Sequence, residues 1–593
     1  MEEQKYSIIP CTIEALLGWI KNGEIVVPEI QRPFVWSSSK VRDFIDSLYR
    51  GYPVGYIISW KNPDVRLKNG GVSEGKKILI DGQQRVSSLL TAILGEKVVD
   101  KNYRPTRIKI AFNPLLEKFE TSTPAIRRDK KWIEDIAVIH KIDSSFEVIQ
   151  NYLENNPEVD RKKAIASIEK LFKLKNRGIG LIELSAGLDI EEVTEIFIRI
   201  NSKGVTLSQA DFAMSKIASN EKYRGNLKRK VIEYFSNLVL NPAFEINDEE
   251  FKKSDYFPKM EWLKRESLNL YIPNYKDILG VAFTYKFERG RLSDLVSLLS
   301  GRNFETREYQ EEIEKNSFQK LGEGIEAFIS EHNFKDFLII LLAAGFIDKN
   351  LIRSKGALNF AYILYLKLKE IGYPPHLIKK YVKKWLVLSL LTNRYSSSTE
   401  TTFEEDIRKI SRRDFGEILK EMEEAKLSEA FWEFELVQKL ESSGAGNPAF
   451  KIFLVAQVFF KDRAFLSKDV LVRDLIEQRG DIHHIFPKKL LQQMGYKRDS
   501  YNQVANYVYT EVTTNLKIGK RPVEKYIQEV VEQSQTGEIK YGSIDNLEDL
   551  KKNFEENAIP EEIFEMKMED YPEFLKLRRK LMSRKIKTYY QAL

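Results

Sequence analysis

The spacing of apolar residues predicts short mixed elements at the start of the chain and long helices through its middle. Thr12 to Lys21 places Ile13, Leu16, Leu17 and Ile20 on one helical face, with Thr12 as a plausible cap. Ser37 to Ser39 opens a second helix with Val41, Phe44, Ile45 and Leu48 on its apolar side. IVVPEIQRPFVW reads as a short strand leaving into a loop, and GYPVGYIISW as a turn and a strand. Lys77 to Ile80 is a buried strand, Asp81-Gly82 a tight turn, and Gln83 onwards a helix with Val86, Leu89, Leu90 and Ile93 inside. RIKIAFNP and GIGLIELSA are further strands, separated by an amphipathic helix over 159–176. Apolar residues then recur at spacings of three and four from 212 to 440, without a repeat of fixed length. The pattern gives an α+β multidomain chain that is predominantly helical.

At 593 residues the chain is too long for one core, and two to four domains are expected. The Ser/Gly/Pro-containing stretch 441–450 is the clearest linker candidate, though a loop inside the last domain explains it as well. We divide the chain into 1–217, 218–440 and 441–593. Cys11 is the only cysteine, which excludes a disulfide framework and a Cys-cluster zinc site and fits the cytoplasm. The N-terminus lacks a signal-peptide pattern, and Phe337 to Ile347 is too short to span a bilayer, so no membrane is expected. The net charge of +7 lies in the last 20 residues, where seven basic residues meet no acidic one. Of these, Lys576, Arg578, Arg579, Arg584 and Lys585 are candidates for DNA phosphate contacts; a solubilising tail explains them equally well. Two further basic clusters, Arg127 to Lys131 beside Trp132 and Lys379 to Lys384 around Tyr381, read first as solvated faces.

The chemistry concentrates in Asp481-Ile482-His483-His484-Ile485-Phe486-Pro487, with Asn506 and Asn515 downstream. An imidazole takes a proton at neutral pH and also ligates metals. One imidazole or the Asp could hold a divalent ion while the other imidazole activates a water and an Asn completes the shell or pins the loop. Strand neighbours point to opposite faces, so His483 and His484 can share one ion only at a strand end or irregularity. Asp481 and His483 share a face, which leaves Asp481 as an alternative ligand.

DIHHIFP, Asn506 in ANYVYTEVTTN and Asn515 in TNLKIGKRPVEKY together resemble the HNH nuclease motif of the ββα-metal fold. The resemblance implies His483 as metal ligand, His484 as general base, Asn506 as the brace of the loop and Asn515 as a second metal ligand. QRPFVW, DGQQR and the segment IFIRINSKGVTLSQADFAMSKI are similar to the N-terminal domain of the GmrSD-like modification-dependent (type IV) restriction proteins. That domain is related to the ParB/sulfiredoxin fold. The resemblance implies a nucleotide pocket lined by Gln31, Arg32, Asp81, Gly82, Gln83, Gln84, Arg85 and Asn201. A strand, a glycine turn and a helix N-terminus can seat a phosphate, although such junctions are also common without one. No Walker A sequence is present.

The combined resemblance implies a ParB-like sensor domain, a helical middle and a C-terminal HNH domain. The implied activity is NTP-regulated DNA cleavage with Mg2+ or Mn2+, directed at foreign, modified DNA such as that of phage. GTP, ATP and CTP are not distinguished, and a homodimer is compatible. Alternatives are a nicking enzyme of a phosphorothioate-type defence system and a binding-only regulator with a degenerate HNH domain.

Overall fold

The computed structural model describes residues 5–26, 34, 36–61, 77–99, 105–142, 144–188, 192–193, 196, 209–220, 222–246, 248–266, 269–306, 308–478, 480 and 482–593. The protein is a large, predominantly helical α+β chain with small mixed sheets. It divides into two compact units, one of residues 1–229 and 295–315, the other of 230–294 and 316–593.

The first unit is built on a five-stranded sheet. Its strands are β1 (Tyr6–Thr12), β2 (Ile25–Val26), β3 (Tyr56–Lys61), β4 (Lys77–Asp81) and, after β5 (Val98–Val99), β6 (Pro105–Thr106), β7 (Ile110–Asn113) and β8 (Lys118–Thr121), the late strand β9 (Gly178–Leu184). The order is β1-β9-β3-β4-β2, with β1/β9 and β3/β4 antiparallel and β9/β3 and β4/β2 parallel. The helices follow from their caps. Thr12 accepts from Ala15 N at 3.1 Å to start α1 (Ile13–Lys21), and Ser37 accepts from Lys40 N at 3.3 Å to start α2 (Ser38–Arg50). Ile13, Leu16, Ile45, Leu48, Ile57, Leu79 and Leu181 are buried together, so the faces read from periodicity are those that pack on the sheet. Short helices α3 (Gln83–Leu89), α4 (Pro124–Arg128), α5 (Ile136–Ile139), α6 (Ser145–Asn155) and α7 (Arg161–Phe172) complete this region, and Gln209–Ser219 forms a later helix.

The second unit is mostly helix. Its helices include Tyr275–Phe287, Glu331–Ala343, Lys355–Ile371 and Pro375–Leu391, packed around an aromatic cluster of Tyr271, Phe328, Phe334, Phe337 and Tyr362. The Tyr362 hydroxyl donates to Phe328 O at 2.9 Å, so the buried ring carries no unmet donor. Residues 441–447 form a tight loop inside this unit and 448–450 already belong to the next helix: Asn447 donates to Lys439 O at 2.9 Å and caps the helix Pro448–Phe460 through Phe450 N at 3.0 Å. Farther on, β10 (Ile482–His484) pairs antiparallel with β11 (Tyr507–Tyr509), and the helix Val512–Ile518 follows directly. The helix Tyr571–Ala592 closes the unit. Among the described residues no helix is long and apolar enough to cross a membrane.

Candidate active site

The strand pair β10/β11 divides the two histidines as the pleat requires. His483, opposite Val508, turns into the protein and is only 4% exposed; His484, opposite Tyr507, is half-buried. The inner imidazole lies parallel to Phe465, with ring centres 6.1 Å apart, and its Nδ1 is 2.6 Å from Asn515 Oδ1. Its Nε2 is buried without a hydrogen-bond partner. Burial pushes the His483 pKa down to about 4, against the Asn515 bond that raises it, while His484 adds a smaller lowering. The imidazole is therefore neutral at pH 7 and keeps a lone pair available.

On the other face, His484 Nε2 is 3.1 Å from Asn502 Oδ1, and the ring meets Tyr507 edge-on at 5.0 Å. With the amide oxygen facing Nε2, that nitrogen carries the proton and Nδ1 is left as the basic position. Burial lowers the His484 pKa, the Asn502 bond opposes this, and Lys488 lowers it further. Asn502 has no motif around it in KRDSYNQ, so nothing in the sequence singles it out.

Asn506 is 0% exposed and acts as a pseudo-backbone link. It accepts from Phe486 N at 2.8 Å and donates to Phe486 O at 3.0 Å, while its own carbonyl accepts from Ile485 N at 3.0 Å. Tyr526 donates to Ile485 O at 2.8 Å. The turn that follows the histidines is thus held on both sides by groups far away in sequence. Behind it, the buried Arg578 guanidinium donates to Ala505 O at 2.8 Å and Asn557 O at 3.1 Å, and Phe574 packs on Phe486 with ring centres 4.8 Å apart.

For a divalent ion, the donors that fit by chemistry are the His483 imidazole and the Asn515 amide oxygen: Nδ1 carries the proton of the 2.6 Å contact to Asn515 Oδ1, the free lone pair is on the buried Nε2, and joint ligation would require Nδ1 to give up that proton. Among the described residues no group of three or more His, Cys, Asp and Glu is placed to hold a metal. Asp481, the alternative ligand, lies outside the described residues.

In the first unit, Asp81 ends β4 and Gly82 turns the chain at φ +97° into α3. A Cβ at Gly82 would stand 2.5 Å from Ile57 Cδ1, so both conformation and space demand glycine. Arg85 Nη1 donates to Asp81 Oδ2 at 3.3 Å and to Tyr56 O at 3.2 Å. Gln84 Oε1 accepts from Trp36 N at 3.3 Å, and Gln83 is buried. Gln31, Arg32 and Asn201 lie outside the described residues.

Comparison with known proteins bears on this turn. Residues 13–218 match the family described as GmrSD restriction endonuclease, N-terminal domain. Over 619 aligned residues the chain is also 23% identical to Uncharacterized protein MJ0686 of Methanocaldococcus jannaschii, covering 95% of this chain and 96% of that protein. The family match contains the Asp81–Arg85 turn and ends well before the His483–Asn515 cluster.

The C-terminal helix needs one correction. Arg578 is 0% exposed and its donors are turned onto main-chain carbonyls, so it cannot reach a DNA phosphate. Arg579 is largely buried and donates to Gln503 Oε1 at 2.8 Å, and Lys585 is 2.6 Å from the buried Asp462. Of the five basic candidates on this helix, Lys576 and Arg584 are exposed. A count of basic residues cannot tell these roles apart; the periodicity of Phe574, Met582, Ile586 and Tyr589 places Arg578 on the inner face.

Proposed function

We propose that the second unit hydrolyses DNA phosphodiester bonds through the His483–His484–Asn515 cluster, and that the Asp81–Arg85 turn of the first unit binds a nucleoside triphosphate that regulates cleavage. The observation that carries the nuclease reading is the split between two adjacent imidazoles. One is buried against an amide oxygen with a nitrogen left unpaired, and the other is half-buried with its tautomer fixed by Asn502. The similarity of residues 13–218 to a restriction endonuclease family supports a role against foreign DNA and the nucleotide reading of Asp81, Gly82, Gln83, Gln84 and Arg85.

In this reading His483 and Asn515 hold a divalent cation, Mg2+ or Mn2+. When bound, the ion supplies positive charge to the phosphate oxygens and the leaving oxygen. His484 Nδ1 accepts the proton of the attacking water, and burial, which lowers its pKa, favours the neutral imidazole that this role needs. Asn506 and Tyr526 fix the backbone at Ile485 and Phe486, so the imidazole does not have to be ordered during the reaction. Residues 441–593 form the nuclease module in this proposal, residues 1–217 the nucleotide-binding sensor of ParB/sulfiredoxin-like fold, and residues 218–440 the helical connection.

The test is cleavage of modified and unmodified phage DNA with and without each NTP and divalent ion. His484→Ala lowers the cleavage rate by about 100- to 10,000-fold while DNA binding persists, and excess EDTA abolishes cleavage. Wild-type rates in His484→Ala place the chemistry elsewhere. DNA binding without cleavage under every ion assigns a binding-only role. Asp81→Ala and Arg85→Ala weaken nucleotide binding in calorimetry; unchanged affinity in both removes the nucleotide site from this turn.

A further inference from the structure

The first unit holds a cavity of about 410 Å3 lined by the strip Lys130–Ile133 and by helices α5 and α6. Three properties set it apart. Its accessible aromatic residue is the half-buried Trp132, flanked by Ile133 and Val148, while Tyr152 borders it from the core and is only 6% exposed. Glu147, Asn151 and Asn155, at successive i, i+4 positions on α6, add a polar stripe. The stretch of chain that leads into it carries Arg127, Arg128, Lys130 and Lys131, all exposed, and among the described residues none of the four forms an ion pair. Lys130 itself lines the cavity.

The strip is anchored before any ligand arrives. Asn156 Nδ2 donates to Lys130 O at 2.9 Å, the Tyr152 hydroxyl donates to Lys131 O at 3.2 Å, and Ile133 exchanges two backbone hydrogen bonds with Phe112 at 2.8 and 2.9 Å. Trp132 lies between these fixed points, and its backbone N–H donates to Asp129 O at 3.0 Å. A strip whose main chain is already fixed costs little backbone ordering entropy on binding.

We propose that this cavity receives one unpaired nucleobase of a nucleic-acid strand, with the flanking phosphates on the cations at 127–131. A flat π-ligand suits the aromatic residues, and base–aromatic stacking combined with a basic track is the usual physics of single-strand binding. The four unpaired cations supply the complementary charge for the backbone. Glu147 offers only acceptors, so it favours a base that presents an exocyclic amino group, as cytosine, adenine and guanine do, over thymine. None of its lining residues belongs to the His483–His484 cluster or to the Asp81–Arg85 turn, and the inference does not rest on nuclease activity.

The test uses the full chain in EDTA, so strand scission plays no part and failure here is distinct from failure of the nuclease reading. A single strand carrying 5-iododeoxycytidine is photo-crosslinked and the adduct mapped by mass spectrometry; affinity is read by fluorescence anisotropy. The expected adduct lies in the peptide containing Trp132. Trp132→Ala weakens a dC or dA strand by about 5- to 100-fold but leaves an abasic strand of the same length unchanged, and Trp132→Phe retains most of the affinity. The triple variant Arg127→Glu/Arg128→Glu/Lys130→Glu, confined to exposed residues, weakens both strands and flattens the salt dependence. Adducts confined to other regions, equal loss for base-bearing and abasic strands in Trp132→Ala, wild-type affinity in the triple variant, or competition by poly-glutamate as strong as by oligo-dC would each overturn the proposal.

Discussion

Acidification is expected to loosen the His483 turn well before it unfolds a typical buried region. The free imidazole of an unfolded chain titrates near 6.5, whereas burial holds His483 at about 4. Above pH 6.5 both states are neutral and the group contributes no pH dependence. Between 6.5 and 4 the opened chain takes up a proton that the closed turn refuses, so stability falls as pH falls. Below 4 the loss is complete, at about 3 kcal/mol from a gap of roughly 2.5 pKa units. At pH 5 about 2 kcal/mol is already gone, a change of roughly 30-fold in the local opening equilibrium.

A global melting curve would blur this effect. Asp462, in the same unit, has its pKa raised by burial to about 6 against the pull of Lys585. Its sign is opposite: the folded state binds the extra proton, so it adds stability as pH falls from about 6 to the ordinary carboxylate range. In the first unit, burial holds His140 at about 3, with the same sign as His483. The assay must therefore be local and differential. Hydrogen exchange of the Ile485 and Phe486 amides, which bond to Asn506 O at 3.0 Å and Asn506 Oδ1 at 2.8 Å, reports the opening directly. After correction for intrinsic rates, wild-type protection drops about 30-fold between pH 7 and pH 5, and His483→Gln shows most of that drop removed. A residual slope from His484 keeps the same sign. Identical pH curves for wild type and His483→Gln would refute the reasoning, as would an NMR titration of His483 near 6.5.

Other perturbations follow from the same geometry. Asn506→Ala strips two partners from buried Phe486 main-chain groups, costing about 1–3 kcal/mol for each group left unmet; chemical denaturation followed on the second unit and exchange at residues 485–486 measure it, and a loss under 1 kcal/mol contradicts the pinning role. Arg578→Ala lowers the stability of the second unit by a similar amount per freed carbonyl, about 1–3 kcal/mol, whereas Lys576→Ala and Arg584→Ala leave the melting temperature in place and reduce the salt dependence of DNA binding. If Arg578→Ala is neutral for folding and alone abolishes DNA binding, Arg578 is a DNA contact and not a buried tie between main-chain carbonyls. Gly82→Ala strains a left-handed turn and drives a methyl onto Ile57, so it destabilises the first unit by about 1–3 kcal/mol, read by differential scanning calorimetry.

The sequence conveyed periodicity and local caps faithfully, because those signals are local. Thr12, Ser37 and Gly82 each do in the fold what their residue type requires. The alternation along β10 was also readable, and it produces the inner and outer histidines. What the sequence could not convey was which distant groups those histidines meet. Asn502 lies 18 positions from His484 in an unremarkable polar stretch, and Tyr526 and Arg578 reach the same turn from helices farther on. Charge counting failed at Arg578 for the same reason: a long cation on an amphipathic helix can serve either face, and only packing decides.

The difference in burial between His483 and His484 also explains why two adjacent imidazoles are not redundant. Had both been exposed, each would titrate near neutrality and either could take the proton of a water. Packed under Phe465 and against Asn515, His483 is removed from solvent and stays neutral far into the acid range, which suits a permanent electron-pair donor. His484 is left half in water, tied by Asn502 at one nitrogen only, which suits a group that must exchange protons with its surroundings. A swap of environments is therefore more damaging than loss of either ring's bulk. Asn515→Leu removes the amide oxygen facing His483 and is expected to weaken divalent-ion affinity in calorimetry while leaving the NMR titration of His484 in place; an equal disturbance of both histidines would mean that they act as one unit.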